Sequence, residues 1–213
     1  MKTKPLRKLS AQELRILQER TVGHYNGSSL SFWEGTKDHD VSQNIDALLR
    51  NIIGESPFQI LDFGCGPGRD LMAFTRLGHQ ATGLDGSSNF VQMAKENSGC
   101  EVFHQDFLNL ELPSETFDGV FANAAMFHVP TQELSKVLKH LWEALKPGGV
   151  LFCSNPRGSD LEQFNQERYG AFLSYETWSQ YLQEAGFVEI EHYYRPPGKP
   201  RDQQPWLATV WRR

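Results

Sequence analysis

The stretch from Phe58 to Asp85 narrows what this chain can fold into more than any other part of it. Residues Phe58–Phe63, reading FQILDF, have the composition of a buried strand. Gly64, Gly66 and Gly68 then open a tight turn, and a helix can begin near Arg69. A glycine-rich turn between strand and helix holds bare backbone N–H groups toward a ligand. A second apolar run ends in Asp85, which sets a carboxylate at the tip of the neighbouring parallel strand. Together these features describe a site for a nucleoside-bearing cofactor, in the crevice beyond the carboxyl ends of the strands.

Arg69 stands where the dinucleotide fingerprint has its third glycine, so close packing of helix on strand around a pyrophosphate is not provided for. No Lys followed by Ser or Thr comes after the glycines, which excludes a nucleotide phosphate loop. A cofactor with adenosine and no phosphates remains. The segment GCGPG, following the acidic Asp62, resembles the first motif of the class I S-adenosylmethionine-dependent methyltransferases. That resemblance implies a glycine turn of Gly64, Cys65, Gly66 and Gly68 beneath the methionine part, with Asp62 holding its amino group indirectly. It also implies ribose contacts at Asp85, Gly86 and Ser87, adenine contacts at Asp106 and Phe107, and approach to the methionine moiety at Asn123.

Residues 1–213 read as a single domain, with an N-terminal helix and lid over 1–54. Twenty-one basic against 26 acidic residues give a net charge of −5, which argues against nucleic acid as the main partner. Basic residues gather at Lys2–Lys8 and at Arg212 and Arg213. No apolar run reaches the roughly 18–20 residues of a membrane span, and the polar start is not a secretory signal. Cys65, Cys100 and Cys153 have neither metal-ligand spacing nor an even count, which fits a reduced, cytoplasmic chain. The seven histidines form no HExxH or His-Cys cluster, so no metal is implied.

Along the chain, Ser10 to Glu13 is a capping box for a helix ending near Val22. His24–Asn44 repeats at neither helical nor strand spacing and reads as a long lid loop. Val41, Ile45, Leu48 and Ile52 form a helical stripe closed by Gly54, and Leu71, Phe74 and Leu77 line the inward face of the helix after the glycine turn. Strands are expected at 80–84, 100–104, 117–122 and 150–155, with helices at 90–97 and from a Thr131 cap onward. The segment after Asn155 reads as irregular chain crossing above the sheet. Ser174 caps a helix, and two more strand candidates, 187–194 and 207–211, flank a proline-rich link. That link carries no helical stretch, so the last strand is expected to run antiparallel. The fold class is therefore α/β: a doubly wound, mostly parallel seven-stranded sheet with an antiparallel last strand, Rossmann-like, as in class I methyltransferases.

Transfer from a sulfonium needs alignment and exclusion of water more than side-chain chemistry, so substrate choice rests on the lid and on the loops after strands four and five. Those segments hold Tyr25, Phe32, Trp33, Asp38, His39, Asp40, Asn44, Phe127, His128, Arg157, Arg168, Tyr169, Tyr193, Tyr194 and Arg195. Arginines can clamp a carboxylate and acids can take an ammonium, which suits a small zwitterion. The segments SFWEGTKDHDVSQN, LDFGCGPGRDL, GLDGS, FANAAMFHVP, LFCSNPRG, GFVEIEHYYRPPG and QQPWLATVWRR resemble the methyltransferase part of ovothiol biosynthesis, from about Tyr25 to Arg213. The resemblance implies methylation of an imidazole nitrogen of 5-thiohistidine to give ovothiol A, beside a separate sulfoxide synthase. On that reading Arg157 and Arg195 fix the carboxylate, while Tyr25, Phe32, Asn44, Phe127 and Tyr169 surround the substrate. Asp38 or Asp40 fixes the ring tautomer, and His39 or His128 contacts the thiolate. The alternatives are a methyltransferase for another small amine, thiol or ring carbon, and a non-catalytic protein that binds S-adenosylmethionine.

Overall fold

The computed structural model describes residues 8–213, so most of the basic run from Lys2 to Lys8 lies outside the described residues. Helix α1 (Ala11–Gly27) starts at the expected capping box: Glu13 N–H donates to Ser10 Oγ, and the Ser10 N–H donates back to the Glu13 carboxylate. It continues past Val22, and α2 (Ser29–Thr36) follows after Ser28, so most of the expected lid loop is helical. Irregular chain there is confined to the short link between Thr36 and α3 (Ser42–Leu49). Burial of Ile45 and Leu48 against the sheet selects the face of α3 that the periodicity picks out.

Strand β1 (Gln59–Phe63) leads through the glycines into α4 (Arg69–Arg76), and β2 (Gln80–Asp85) into α5 (Ser88–Ser98). Leu71 and Phe74 are buried, whereas Leu77 follows the last turn of α4 and is 57% exposed, so it does not line the inner face. Strands β3 (Val102–His104) and β4 (Phe117–Asn123) follow. Helix α6 (Thr131–Ala144) has Pro130 at its N-cap, and Thr131 instead bonds the Glu162 carboxylate. Strand β5 (Leu145–Pro156) takes in Leu145, although Leu134, Leu138, Leu141 and Leu145 continue one helical spacing in the sequence.

The segment after Asn155 folds back as a hairpin, β6 (Leu161–Asn165) and β7 (Arg168–Phe172), instead of irregular chain. Its turn carries Gln166 at φ 57°, a left-handed position taken without glycine or asparagine. Helix α7 (Tyr175–Glu184) starts at the Ser174 cap, and β8 (Val188–Arg195) and β9 (Trp206–Arg212) close the chain.

The sheet order is β3-β2-β1-β4-β5-β9-β8, with β9 antiparallel to both β5 and β8. Alternation along β1 sends Leu61 and Phe63 to a core beneath α6 and α7, and Ile60 to a second core with Phe74, Phe121 and α3. After β1 the chain winds outward to β2 and β3, then returns to lay β4 on the other side of β1. The crevice between the loops leaving β1 and β4 is the ligand position of such a sheet. Helix α1 and the hairpin roof it: Leu17 packs on Tyr169 and Ala171, and the Tyr169 N–H donates to Thr21 Oγ1 at 3.1 Å.

Candidate active site

Gly64 occupies φ 76°, and a Cβ there would lie 2.4 Å from the Ala125 Cβ, so the β1 and β4 loops touch because no side chain intervenes. Gly68, at φ 92°, begins α4, and a Cβ on it would lie 2.9 Å from the Ala94 Cα of α5. Between them the Gly66 N–H donates to Asp85 Oδ2 at 2.9 Å, while Ser87 N–H donates to Oδ1 at 2.8 Å. The carboxylate and glycine turn thereby fix one another, as the sequence pairing requires. Burial pushes the Asp85 carboxyl up to about 6, against the pull of these N–H donors. Ser87 Oγ accepts from the Phe90 N–H to cap α5 and donates to Asn26 Oδ1, pinning the end of α1 over this loop.

Above this floor lies a cavity of about 680 Å³, within the roughly 300–1,000 Å³ of small-molecule clefts. Tyr25, Phe32 and Phe90 form its aromatic roof, with ring centroids 5.1–5.6 Å apart. Gly64, Cys65, Gly66, Asp85, Gly86, Ser87, Phe107 and Asn123 border it, as do His39, Asp40, Phe127, His128 and Arg195. Arg69 Nη1 donates to Thr36 O and Arg195 Nη2 donates to Asp40 O, both at 3.1 Å, so two guanidinium groups hold the link after α2.

Several expected site residues stand elsewhere. Asp38, Asn44, Arg157 and Tyr169 do not border the cavity. Asn44 is fully buried, donating to Asn123 Oδ1 at 3.0 Å and accepting from Tyr193 OH at 3.0 Å; it braces the wall without facing a substrate. Arg157 lies over the Tyr194 ring, 5.4 Å from its centroid. The Tyr169 ring packs beneath α1, and its backbone carbonyl is what reaches the site. The Asp106 carboxylate accepts from the Leu108 N–H at 2.6 Å and from Asn109 Nδ2, capping its own loop while Phe107 and Leu108 form the wall. Asp62 sits under the floor, 2% exposed; burial first, and then Asp70, hold its carboxyl well above the usual carboxylate range. Asp40 accepts from the Ser42 N–H at 2.9 Å, and the Ser42 hydroxyl first, then this N–H, hold its carboxyl below the usual value.

His128 is the most tightly specified of the expected residues. One ring nitrogen, Nδ1, lies 2.6 Å from Tyr169 O, and the other, Nε2, lies 2.8 Å from Tyr25 OH. A carbonyl can only accept, so Nδ1 carries the proton, Nε2 accepts, and Tyr25 donates. Burial keeps this imidazole neutral, its pKa pushed down to about 4. The Tyr25 oxygen is therefore an acceptor, with one lone pair facing the Arg168 guanidinium and the other left for the cavity. Sequence reasoning missed Asn26, Phe90, the lid-holding role of Arg69, and Trp206, which borders the cavity from the start of β9. Phe90 reads as an ordinary core residue, and the other three acquire their places through tertiary contacts.

The donor set can be tested against an adenosyl sulfonium cofactor. Asp85 offers a buried double acceptor at the edge of the floor, where a ribose diol would donate. Beneath it, Asp62 Oδ2 is buried with no hydrogen-bond partner among the described residues, an acceptor still available for an ammonium through the turn or a water. No Lys or Arg among the described residues joins the glycine turn as a phosphate ligand would require, since the Arg69 guanidinium is taken up by Asp70 at 2.7 and 2.9 Å. The residues fit the group.

Residues 60–149 match the family model described as a methyltransferase domain. Over 140 residues the chain is 34% identical to trans-aconitate 2-methyltransferase of Rhodopseudomonas palustris, an alignment covering 65% of this chain and 53% of that protein. The chain thus spans about half the length of this curated relative. Among solved structures, 1,6-didemethyltoxoflavin-N1-methyltransferase of Burkholderia thailandensis superposes with a TM-score of 0.77 at 18% identity, covering 99% of this chain and 93% of that one. An S-adenosylmethionine-dependent methyltransferase from Mesorhizobium loti gives 0.70 at 17% identity, over 84% and 99% of the two chains. The fold is that of the class I, Rossmann-like methyltransferases. In sequence the chain is similar to several methyltransferases, a sterol 24-C-methyltransferase of Gibberella zeae among them, at 34% identity over 56% of this chain and 33% of that protein.

Proposed function

We propose that this protein transfers a methyl group from S-adenosylmethionine to a small molecule, and that within this class the acceptor is a ring nitrogen of 5-thiohistidine. The observation that supports the reading most is the roofed cavity whose floor is the Gly66–Asp85 pair and whose far wall is Tyr25 with His128. When bound, the cofactor supplies an electrophilic methyl on a sulfonium, so the protein needs neither nucleophile nor metal of its own. Asp85 and the glycine turn hold the adenosyl part, and Phe32, Phe90 and Phe127 keep water out. Tyr25, with its proton committed to His128, accepts a ring N–H of the substrate and so turns the opposite lone pair toward the methyl. This moves the tautomer-fixing role from Asp38 and Asp40 to Tyr25. Specificity for thiohistidine rests on the lid and tail motifs, and a separate sulfoxide synthase would supply the thiol.

The test is incubation with methyl-labelled cofactor and, in parallel, 5-thiohistidine, histidine, a simple thiol and trans-aconitate. Label on a ring nitrogen of thiohistidine supports the full reading. Label on another acceptor keeps the methyltransferase and replaces the substrate. Saturated cofactor binding with no transfer to any acceptor favours a non-catalytic role.

A further inference from the structure

The arginines that border the cavity are not alike. Arg69 is neutralised by a bidentate contact with Asp70, and Arg195, whose Nε is also buried without a partner, commits Nη2 to the Asp40 carbonyl that holds the link after α2. Arg168, at the start of β7, forms no ion pair with any acid among the described residues; its guanidinium is hydrogen-bonded to the Tyr25 hydroxyl, and its Nε is buried without a hydrogen-bond partner. Its guanidinium carbon lies 6.0 Å from the centroid of the Tyr25 ring, at the end of the cavity occupied by Tyr25, Phe127 and His128. Neighbouring acids are already engaged: Glu167 pairs with Arg20 at 2.8 Å, and Glu162 bonds Thr131. His128 cannot answer Arg168 either, since its Nε2 accepts from Tyr25.

A guanidinium presents five donors in a planar fork matched to a carboxylate, and half-buried beside a single hydroxyl with no anion in reach it leaves most of them unmet. The hairpin that carries Arg168 is held against α1 by the Tyr169–Thr21 hydrogen bond, so the residue is fixed over the cavity. We propose that Arg168 is the residue that selects the substrate's charge: the acceptor molecule carries a carboxylate, and Arg168 receives it beside Tyr25. This rests on the methyltransferase reading of the cavity. It assigns to Arg168 the carboxylate role that the resemblance gave to Arg157, which stands outside the cavity, and to Arg195, which holds the Asp40 carbonyl.

The experiment is calorimetric titration of the protein saturated with S-adenosylhomocysteine, using acid and amide pairs: imidazole-4-acetate with its amide, nicotinate with nicotinamide, and histidine with histidinamide. At least one acid is expected to bind about 10- to 100-fold more tightly than its amide, the range of a charge-assisted hydrogen bond. Arg168→Gln is expected to erase that preference, and Arg168→Lys to restore part of it, while both variants bind S-adenosylhomocysteine like the parent. Amides that bind as well as acids, an acid preference that survives in Arg168→Gln, or no saturable binding by any acid would each overturn the assignment. Failure to bind S-adenosylhomocysteine at all would instead remove the underlying cofactor reading.

Discussion

Asp85 couples cofactor binding to pH in a way that can be worked out in advance. Burial pushes its carboxyl up to about 6 in the ligand-free protein. Ribose hydroxyls donate to the ionised carboxylate and gain little from the acid, so binding selects the ionised form. With that pKa, roughly one-eleventh of the protein is ionised at about pH 5 and roughly ten-elevenths at about pH 7. The dissociation constant of S-adenosylhomocysteine is therefore expected to tighten about tenfold over this interval, about 1.4 kcal/mol, and to level off above it. Folding stability has the opposite sign. A carboxyl whose folded pKa lies above its unfolded value contributes stability that is complete below about pH 4 and is lost as pH rises through about 6. Isothermal titration of the parent and of Asp85→Asn across this range is the assay. The variant is expected to bind more weakly and without the slope, since its amide cannot ionise and leaves one backbone N–H without an acceptor. His39→Gln, which removes another titratable wall residue, serves as control. Equal dissociation constants at both ends of the range, or an unchanged slope in Asp85→Asn, would show that Asp85 does not couple cofactor binding to pH.

Gly68→Ala forces a Cβ to 2.9 Å from the Ala94 Cα at φ 92°, and thermal melting should show a loss of about 2–4 kcal/mol. Asn44→Ala strips partners from Asn123 and the Tyr193 hydroxyl, so urea unfolding should give a loss of about 2–4 kcal/mol even though Asn44 does not border the cavity. Tyr25→Phe removes the donor to the buried His128 Nε2 and the proposed acceptor for substrate. Turnover should fall about tenfold or more, with S-adenosylhomocysteine affinity unchanged in a direct binding measurement.

The sheet was legible because its signals are local. A strand run into GCGPG, a carboxylate at the end of the next strand, and a proline-rich link too short on helix for a crossover each carry their meaning within a few residues. The roof was not. Helix α2 has eight residues, among them two serines and a glycine that are weak helix formers, and it is held by a hydrogen bond from Arg69 and by edge-on and tilted contacts of Phe32 with Tyr25 and Phe90. The β6–β7 hairpin turns at Gln166 without the Asn-Gly signature, so its strands read as polar coil. Losing the hairpin meant losing the difference between Arg157 and Arg168, which sequence treats as equivalent arginines in one segment. Tyr25 and His128 could each be named from residue type. Their 2.8 Å contact joins residues 103 positions apart and belongs to the tertiary structure.

An adenosyl sulfonium cofactor is expected on the Gly66–Asp85 floor beneath the aromatic roof. The deciding experiment is a crystal structure grown with S-adenosylhomocysteine. Ribose hydroxyls on the Asp85 carboxylate, with the sulfur directed toward Tyr25 and His128, are the expected result. A cavity that stays empty at saturating ligand, or a ligand bound away from Asp85, would contradict it.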